Sequence, residues 1–161
     1  MKKREYYPVE ILLWSIALPG FGQFLNGNLI KGLTFVFLEF LVNVNSNLNL
    51  NIKHSFQGQF EEAVAVTNYQ WALFYPCLYI FAMFDAYMDA LKLAEQNSPS
   101  FISIPFVTAA YFSTIGVIFS DYSVFYRFLA PTFIPITAMI IGFIIGGWIR
   151  KWLVHKAYTK T

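Results

Sequence analysis

Two long stretches without a charged side chain place the strongest limit on how this chain folds. They cover residues 101–120 and 128–149. As helices they would each be about 30 Å long, which matches the hydrocarbon core of a bilayer. Only 12% of the chain is charged, whereas soluble domains carry about 25% charged residues. The pattern predicts an all-α fold, a polytopic membrane helix bundle.

Two further segments have the length of a membrane span but a less uniform polarity. Residues 70–93 are apolar until Asp85 and Asp89, near the end of the segment. Residues 29–50 begin apolar, carry Glu39, and then place Asn at alternate positions from Asn43 to Asn51. Alternation with period two also fits a short strand. We favour a helix that leaves the membrane early, and the strand is the alternative.

The first apolar segment, residues 9–25, is interrupted by Pro19, Gly20 and Gly22. Proline removes a helix donor and glycine frees the backbone, so this segment is predicted to bend, as a re-entrant or interfacial element. A full crossing would instead give five spans.

The basic residues favour the four-span topology. With a bent first segment, both termini face the cytoplasm, and of the eleven basic residues only Lys53 and Arg127 lie outside, which leaves nine inside. Cytoplasmic loops carry such an excess of Lys and Arg. With five spans, Lys2, Lys3 and Arg4 would lie opposite the basic C-terminus. We therefore predict four transmembrane helices in the cell membrane, and five spans remain the alternative.

The interrupted segment also carries a family resemblance. Residues 17–27 read ALPGFGQFLNG, ending at Gly27, and KGL follows at 31–33; residues 81–87 read FAMFDAY. These motifs resemble the two-transmembrane ("TM-two") domain family of small bacterial membrane proteins over residues 9–94. The Asn-rich insertion departs from the family pattern. The resemblance implies a compact membrane hairpin module, often part of larger assemblies, with no general catalytic activity. Residues 95–161 would add a helical hairpin to the same single domain.

Small residues recur at four-residue spacing on two predicted helices. One stripe contains Ala138, Gly142 and Gly146, of which the last two form a GxxxG motif; the other contains Ala82, Ala86 and Ala90. Small side chains let helix backbones approach closely in lipid. The stripes predict helix packing, either within one chain, where the two could meet, or between chains.

Three acidic residues are the candidate polar groups of the membrane region. Glu39 is the deepest, and a charge at that depth is costly unless it is paired, protonated or hydrated. Asp85 and Asp89 share a helix face near the cytoplasmic end, where Lys31 and Lys92 could neutralise them. Their predicted roles are to bind a cation or to anchor the Pro-Gly segment.

Catalytic, metal-binding and cofactor-binding patterns are not recognisable in this sequence. Cys77 is the only cysteine, and His54 and His155 lie on opposite sides of the predicted bundle, so we predict no metal and no cofactor. The net charge of +2 does not predict nucleic-acid binding.

The predicted function is therefore a non-enzymatic subunit, scaffold or accessory factor of a membrane complex. Its predicted partners are the lipid bilayer and either another membrane protein or a second copy of the chain. A small ion or proton channel or transporter subunit that uses Glu39 is the alternative, and an intramembrane lipid-modifying enzyme is a third.

Overall fold

The structure is a computed structural model that describes residues 7–159, and within this range the chain is helical and contains no strand. Lys2, Lys3, Arg4 and Lys160, which enter the predicted topology, lie outside the described residues. In chain order the helices are α1 (Pro8–Ala17), α2 (Phe21–Leu25), α3 (Leu29–Ser46), α4 (Leu48–Phe56), α5 (Phe60–Val66), α6 (Tyr69–Ala72), α7 (Tyr75–Leu93), α8 (Ser103–Phe119), α9 (Ser123–Tyr126) and α10 (Phe133–Tyr158).

Across residues 7–159, three helical segments are long and apolar enough to cross a membrane. They are α3, the nearly continuous α6–α7 segment Tyr69–Leu93, and α10. Helix α8 is apolar but has only 17 residues, which corresponds to about 25 Å. The all-helical prediction is thus confirmed, together with three of the predicted membrane-length helices.

Helices α7, α8 and α10 pack side by side in alternating directions. Tyr69 and Ser120 meet at one end of the α7–α8 pair, and Phe84 and Phe106 meet near the other. The α8–α10 pair is antiparallel as well, because Gly116 lies against Pro135 while Gly146 lies against Pro105. The apolar core of this layer is formed by Ile80, Met83, Phe106 and Ala109.

Helices α1 and α2 form a short hairpin against α7. The first limb is α1, which starts beside Ala90 of α7 and extends along that helix to Tyr79. The Tyr79 hydroxyl donates to the Ile16 carbonyl at the end of α1. The second limb returns along the same helix, because Asn26 contacts Ala86 and Asn28 contacts Asp89. The hairpin therefore starts and ends at the same end of α7. The break predicted at Pro19 and Gly20 is confirmed.

The Asn-rich region is helical, and the strand alternative for residues 43–51 is wrong. Helix α3 ends at Ser46 because Asn47 adopts a left-handed conformation with φ of 56°, and α4 starts at the next residue. The Asn51 amide donates to the Ala63 carbonyl and to the Thr67 hydroxyl, which holds α5 against α4. Asn at alternate positions therefore marks a helix break and side-chain cross-links, not a pleated strand.

Helix α10 begins later than the predicted segment 128–149. Residues 128–132 precede it, with Pro131 fully buried and the Thr132 amide donating to the Ser55 hydroxyl at 3.4 Å. Pro131 disfavours helix at the residue before it, Ala130, and the regular helix starts at Phe133. At its other end α10 continues to Tyr158, nine residues past the predicted end of the segment at residue 149.

The described basic residues separate between the two ends of the bundle. Lys53 and Arg127 lie at one end, near α4 and α9. The other end, called the basic end below, contains Lys31, Lys92, Arg150, Lys151 and Lys156. The Arg150 side chain donates to the Ser100 carbonyl at 2.9 Å, so it ties α10 to the segment between α7 and α8.

A candidate polar site at the basic end

The turn of the α1–α2 hairpin depends on two glycines. Gly20 has φ of 103°, and a Cβ there would lie 2.6 Å from the Gly32 carbonyl oxygen. At Gly22 a Cβ would lie 2.7 Å from the Ala86 Cβ. Since real Cβ atoms do not approach so closely, both positions require glycine. Pro19 between the limbs is fully buried, whereas Gly27 closes α2 with φ of 81° and has open space around it.

Two buried amide side chains attach α2 to α7. The Gln23 amide nitrogen donates to the Ala82 carbonyl at 2.8 Å and to Asp85 Oδ2 at 3.1 Å. The Asn26 amide nitrogen donates to the Ala86 carbonyl at 2.8 Å. Alanine at 82 and 86 leaves these helix carbonyls open to side chains from a neighbouring helix. The small residues on α7 therefore provide space for close packing and also acceptors for hydrogen bonds.

A charged cluster lies next to these amides. Lys31 Nζ lies 2.8 Å from Asp85 Oδ1 and 2.7 Å from Asp89 Oδ2, so one cation bridges both carboxylates. The Asn28 amide donates to Asp89 at 2.9 Å, and Lys92 Nζ lies 3.5 Å from the same carboxylate. Two cations thus balance two anions, and the cluster has no net charge.

We call the combined set the polar latch, formed by Gln23, Asn26, Asn28, Lys31, Asp85 and Asp89. It connects α2 and the start of α3 to the second half of α7. Its role is attachment, because all four carboxylate oxygens of Asp85 and Asp89 lie within 3.5 Å of a side-chain nitrogen of the chain. Residues 7–159 contain no group of three or more His, Cys, Asp or Glu that could hold a metal ion.

The two small-residue stripes lie against different elements. A Cβ at Gly142 would lie 2.7 Å from the Ala109 Cα, and one at Gly146 would lie 2.6 Å from the Pro105 Cα. Ala138 lies against Gly116, so the whole α10 stripe packs on α8. The Ala82, Ala86 and Ala90 stripe is fully buried and packs on the α1–α2 hairpin. The stripes therefore do not meet each other, and both are used inside the chain.

Glu39 lies apart from the polar latch, half-buried on α3. Its carboxylate accepts from the Asn43 amide at 3.3 Å, and Asn43 also reaches Asn49 at 3.4 Å. One turn towards the basic end, the buried Phe35 ring packs on Phe81 at 6.0 Å. The hydrogen-bonded neighbours of Glu39 therefore lie towards the α4 end of the bundle.

Gln23 and Asn26 were not among the predicted site residues, although both lie within the motif that carries the family resemblance. Their spacing of three places two amides on one face of a short apolar helix, and this pattern could have indicated a buried polar contact. Their acceptors are backbone carbonyls, however, which no residue type reveals.

Comparison of the chain with protein-family models, with curated proteins and with solved structures found no match. The similarity to the two-transmembrane domain family thus remains a prediction from the motifs in residues 17–33 and 81–87.

Replacement of Lys31 by Met tests the bridging role of this side chain. We expect the free energy of unfolding to fall by about 1 kcal/mol, because two partly buried carboxylates lose their shared cation. Lys92→Met is the matched control, since the Lys92 side chain is 73% exposed and lies 3.5 Å from Asp89, farther than Lys31 does. The control should cost at most about 0.5 kcal/mol. Unfolding titrations in detergent micelles measure both, and equal losses would contradict the bridge.

Proposed function

We propose that this chain is a multi-pass membrane protein in which α3, α6–α7, α8 and α10 cross the bilayer. Support for the fourth crossing comes from the packing of α8. It runs antiparallel beside α7 from the Phe106–Phe84 contact to the Ser120–Tyr69 contact, and beside α10 from Gly146 to Pro135. A helix that accompanies two membrane-length helices over its whole length occupies the same depth.

In the same proposal, α1 and α2 form a re-entrant hairpin. Helix α1 is about 15 Å long, half of what a crossing needs. Both limbs contact α7 between Tyr79 and Ala90, so the hairpin turns back within the length of that helix. The polar latch gives partners to the amide nitrogens of Gln23 and Asn26 and to the charged groups of the cluster, which lowers the cost of placing such a hairpin in the membrane.

The basic end is the cytoplasmic end in this proposal, and the membrane is the cell membrane. Lys31, Lys92, Arg150, Lys151 and Lys156 lie there, whereas Lys53 and Arg127 lie at the opposite end, and Lys and Arg are enriched in cytoplasmic segments. Antiparallel packing of the four crossings brings Tyr7 and Thr159, the two ends of the described chain, to this side.

We infer that the protein acts without catalysis, as a subunit, scaffold or accessory factor of a membrane complex. The observation that carries this inference is the uncovered face of α10. In the most apolar 18-residue stretch of α10, only 11% of the residues are buried within the chain, compared with 33% for the corresponding stretch of α6–α7. Ile140, Ile144 and Trp148 are 52%, 49% and 68% exposed, and they lie on the side away from the glycine stripe that packs on α8.

This uncovered face, formed by Ile140, Ile144 and Trp148 and called the α10 face, is proposed to contact another membrane protein or a second copy of the chain. Large side chains at four-residue spacing form a ridge that fits between the ridges of a neighbouring helix. Trp148 adds an aromatic anchor near the interface. The α8 side of α10 is not available for this purpose, because Gly142 and Gly146 are already covered.

Site-specific photocrosslinking in native membranes tests the α10 face. A photoreactive residue at Ile144 should give a crosslinked product with a partner or with a second copy. The same residue at Leu33, which is 63% exposed on α3, is the matched control and should react mainly with lipid. Equal product from both positions, or a strictly monomeric chain with no product from Ile144, would contradict the proposal.

A second candidate function, a channel or transporter subunit, is favoured by one observation: the hydrogen-bonded series Glu39, Asn43, Asn49. The Phe35–Phe81 contact on the other side of Glu39 argues against a continuous polar path.

Replacement of Glu39 by Gln tests this second candidate. The new side chain still accepts from Asn43, so we expect a change in unfolding free energy of less than about 1 kcal/mol. Proton flux into liposomes should equal that of protein-free liposomes for both the wild type and the variant. A flux that the wild type supports and Glu39→Gln abolishes would instead support the channel.

A further inference from the structure

An apolar cavity of about 380 Å³ lies between the helices and is partly open to the surroundings. Five residues from Ala72 to Ile80 form one wall, over about 12 Å of helix. Ser113 and Val117 of α8 face this wall together with Met139 of α10. The cavity falls within the range of small-molecule binding sites, about 300–1,000 Å³.

The position of this cavity follows from the short α1–α2 hairpin. The hairpin covers α7 only from Ala90 up to Tyr79, and Ile16 at its tip is part of the cavity lining. Beyond Tyr79 the cavity continues along α7 to Leu48 and Ile52 of α4, which line its other end. The space that a full first crossing would occupy is therefore left unfilled by the protein.

Two of the four hydroxyl-bearing residues that line the cavity donate to the protein itself. Tyr79 donates to the Ile16 carbonyl and Ser113 donates to the Pro135 carbonyl, so neither presents a free donor. The Tyr75 side chain also lines the cavity, and no hydrogen bond joins its hydroxyl to the described residues. A wall of this composition fits a hydrocarbon chain and offers a donor to an ester or carboxyl oxygen.

We propose that this cavity binds one acyl chain of a membrane lipid. Ile16 and Ile136, which are 44% and 43% exposed, border the cavity and give it access to the surrounding bilayer. An unfilled space of this size would lose the contacts of its lining atoms, whereas the surrounding medium supplies hydrocarbon chains at high concentration. The chain belongs either to a glycerophospholipid or to a free fatty acid.

The proposal relies on the membrane location, but it can fail separately. Extraction of the protein from membranes by alkaline carbonate would contradict the location. If the protein inserts into the membrane but binds no lipid, only the proposal for the cavity is contradicted.

Val117→Phe is the variant that tests the cavity. Val117 is 7% exposed and lines the cavity, so a phenyl ring there takes the space of the acyl chain. Val44→Phe makes the same change on α3, where the valine is 54% exposed, and it serves as the matched control. Mass spectrometry of the intact protein released from mild detergent micelles measures the lipid that stays bound, and the mass distinguishes a phospholipid from a fatty acid.

We expect the wild type and Val44→Phe to retain one lipid, and occupancy to fall at least about tenfold in Val117→Phe, because the new ring and the acyl chain cannot share the space. Equal retention by the two variants, or no retained lipid in the wild type, would overturn the proposal.

A second measurement on the wild type keeps the proposal testable even if Val117→Phe does not fold. A phospholipid with a photoreactive acyl chain, incorporated into nanodiscs with the protein, should label cavity residues such as Met139 and Tyr79. Labelling confined to lipid-facing residues such as Val44 and Phe37 would refute the acyl-chain site.

Discussion

Gly142→Val should force α8 and α10 apart and lower the free energy of unfolding by about 3 kcal/mol. A Cβ at this position would lie 2.7 Å from both the Ala109 Cα and the Thr108 carbonyl oxygen. Both neighbours are backbone atoms, so no side-chain rotation can make room. The close approach also brings the Thr108 hydroxyl to 2.9 Å from the Gly142 carbonyl, and this interhelical contact would be lost too.

Gly147→Val in the same helix is the control, because a Cβ there meets no atom within 4 Å. Valine has a higher helix propensity than glycine, so the control should be neutral or slightly stabilising. Circular dichroism and unfolding titrations in detergent micelles compare the two variants. Similar stability of Gly142→Val and Gly147→Val would contradict the α8–α10 packing.

Gly22→Ala is expected to release the α1–α2 hairpin from α7 at a cost of about 2 kcal/mol. The new methyl group would lie 2.7 Å from the Ala86 Cβ and would overlap the Ser15 hydroxyl, while the Ile11 carbonyl oxygen lies 3.0 Å away. The nearest atoms here belong to side chains, in contrast to Gly142, so substitution of the neighbours can relieve the overlap.

Ser15→Ala and Ala86→Gly, added to Gly22→Ala, provide that relief. We expect the triple variant to recover part of the lost stability, although the glycine introduced into α7 costs about 1 kcal/mol in helix propensity. Unfolding titrations of the single, double and triple variants give the coupling free energy. Additive losses with no recovery would show that the hairpin does not pack on Ala86.

The sequence was informative where a pattern reports on one element. Uncharged length predicted the helices, and Pro19 with Gly20 predicted the break in the first segment.

Relations between elements were less predictable. Small residues at four-residue spacing identify a helix face but do not say which element covers it. The sequence therefore did not indicate that Ala86 packs on the α1–α2 hairpin and Gly142 on α8. Gln23 and Asn26 bond to carbonyls of residues about 60 positions away. The cavity is also invisible in the sequence, because it results from how far α1 extends along α7.

The polar latch has a consequence for the order in which the chain is assembled during synthesis. Gln23 is made some 62 residues before Asp85, its partner in α7. At about 5–20 residues per second, several seconds pass before that partner is available. During this interval the amides of α2 must remain solvated by water or headgroups, because an unpaired buried amide is costly. The α1–α2 hairpin leaves the ribosome before α7 but reaches its final place only after α7 is made, so α7 acts as the template on which the hairpin closes.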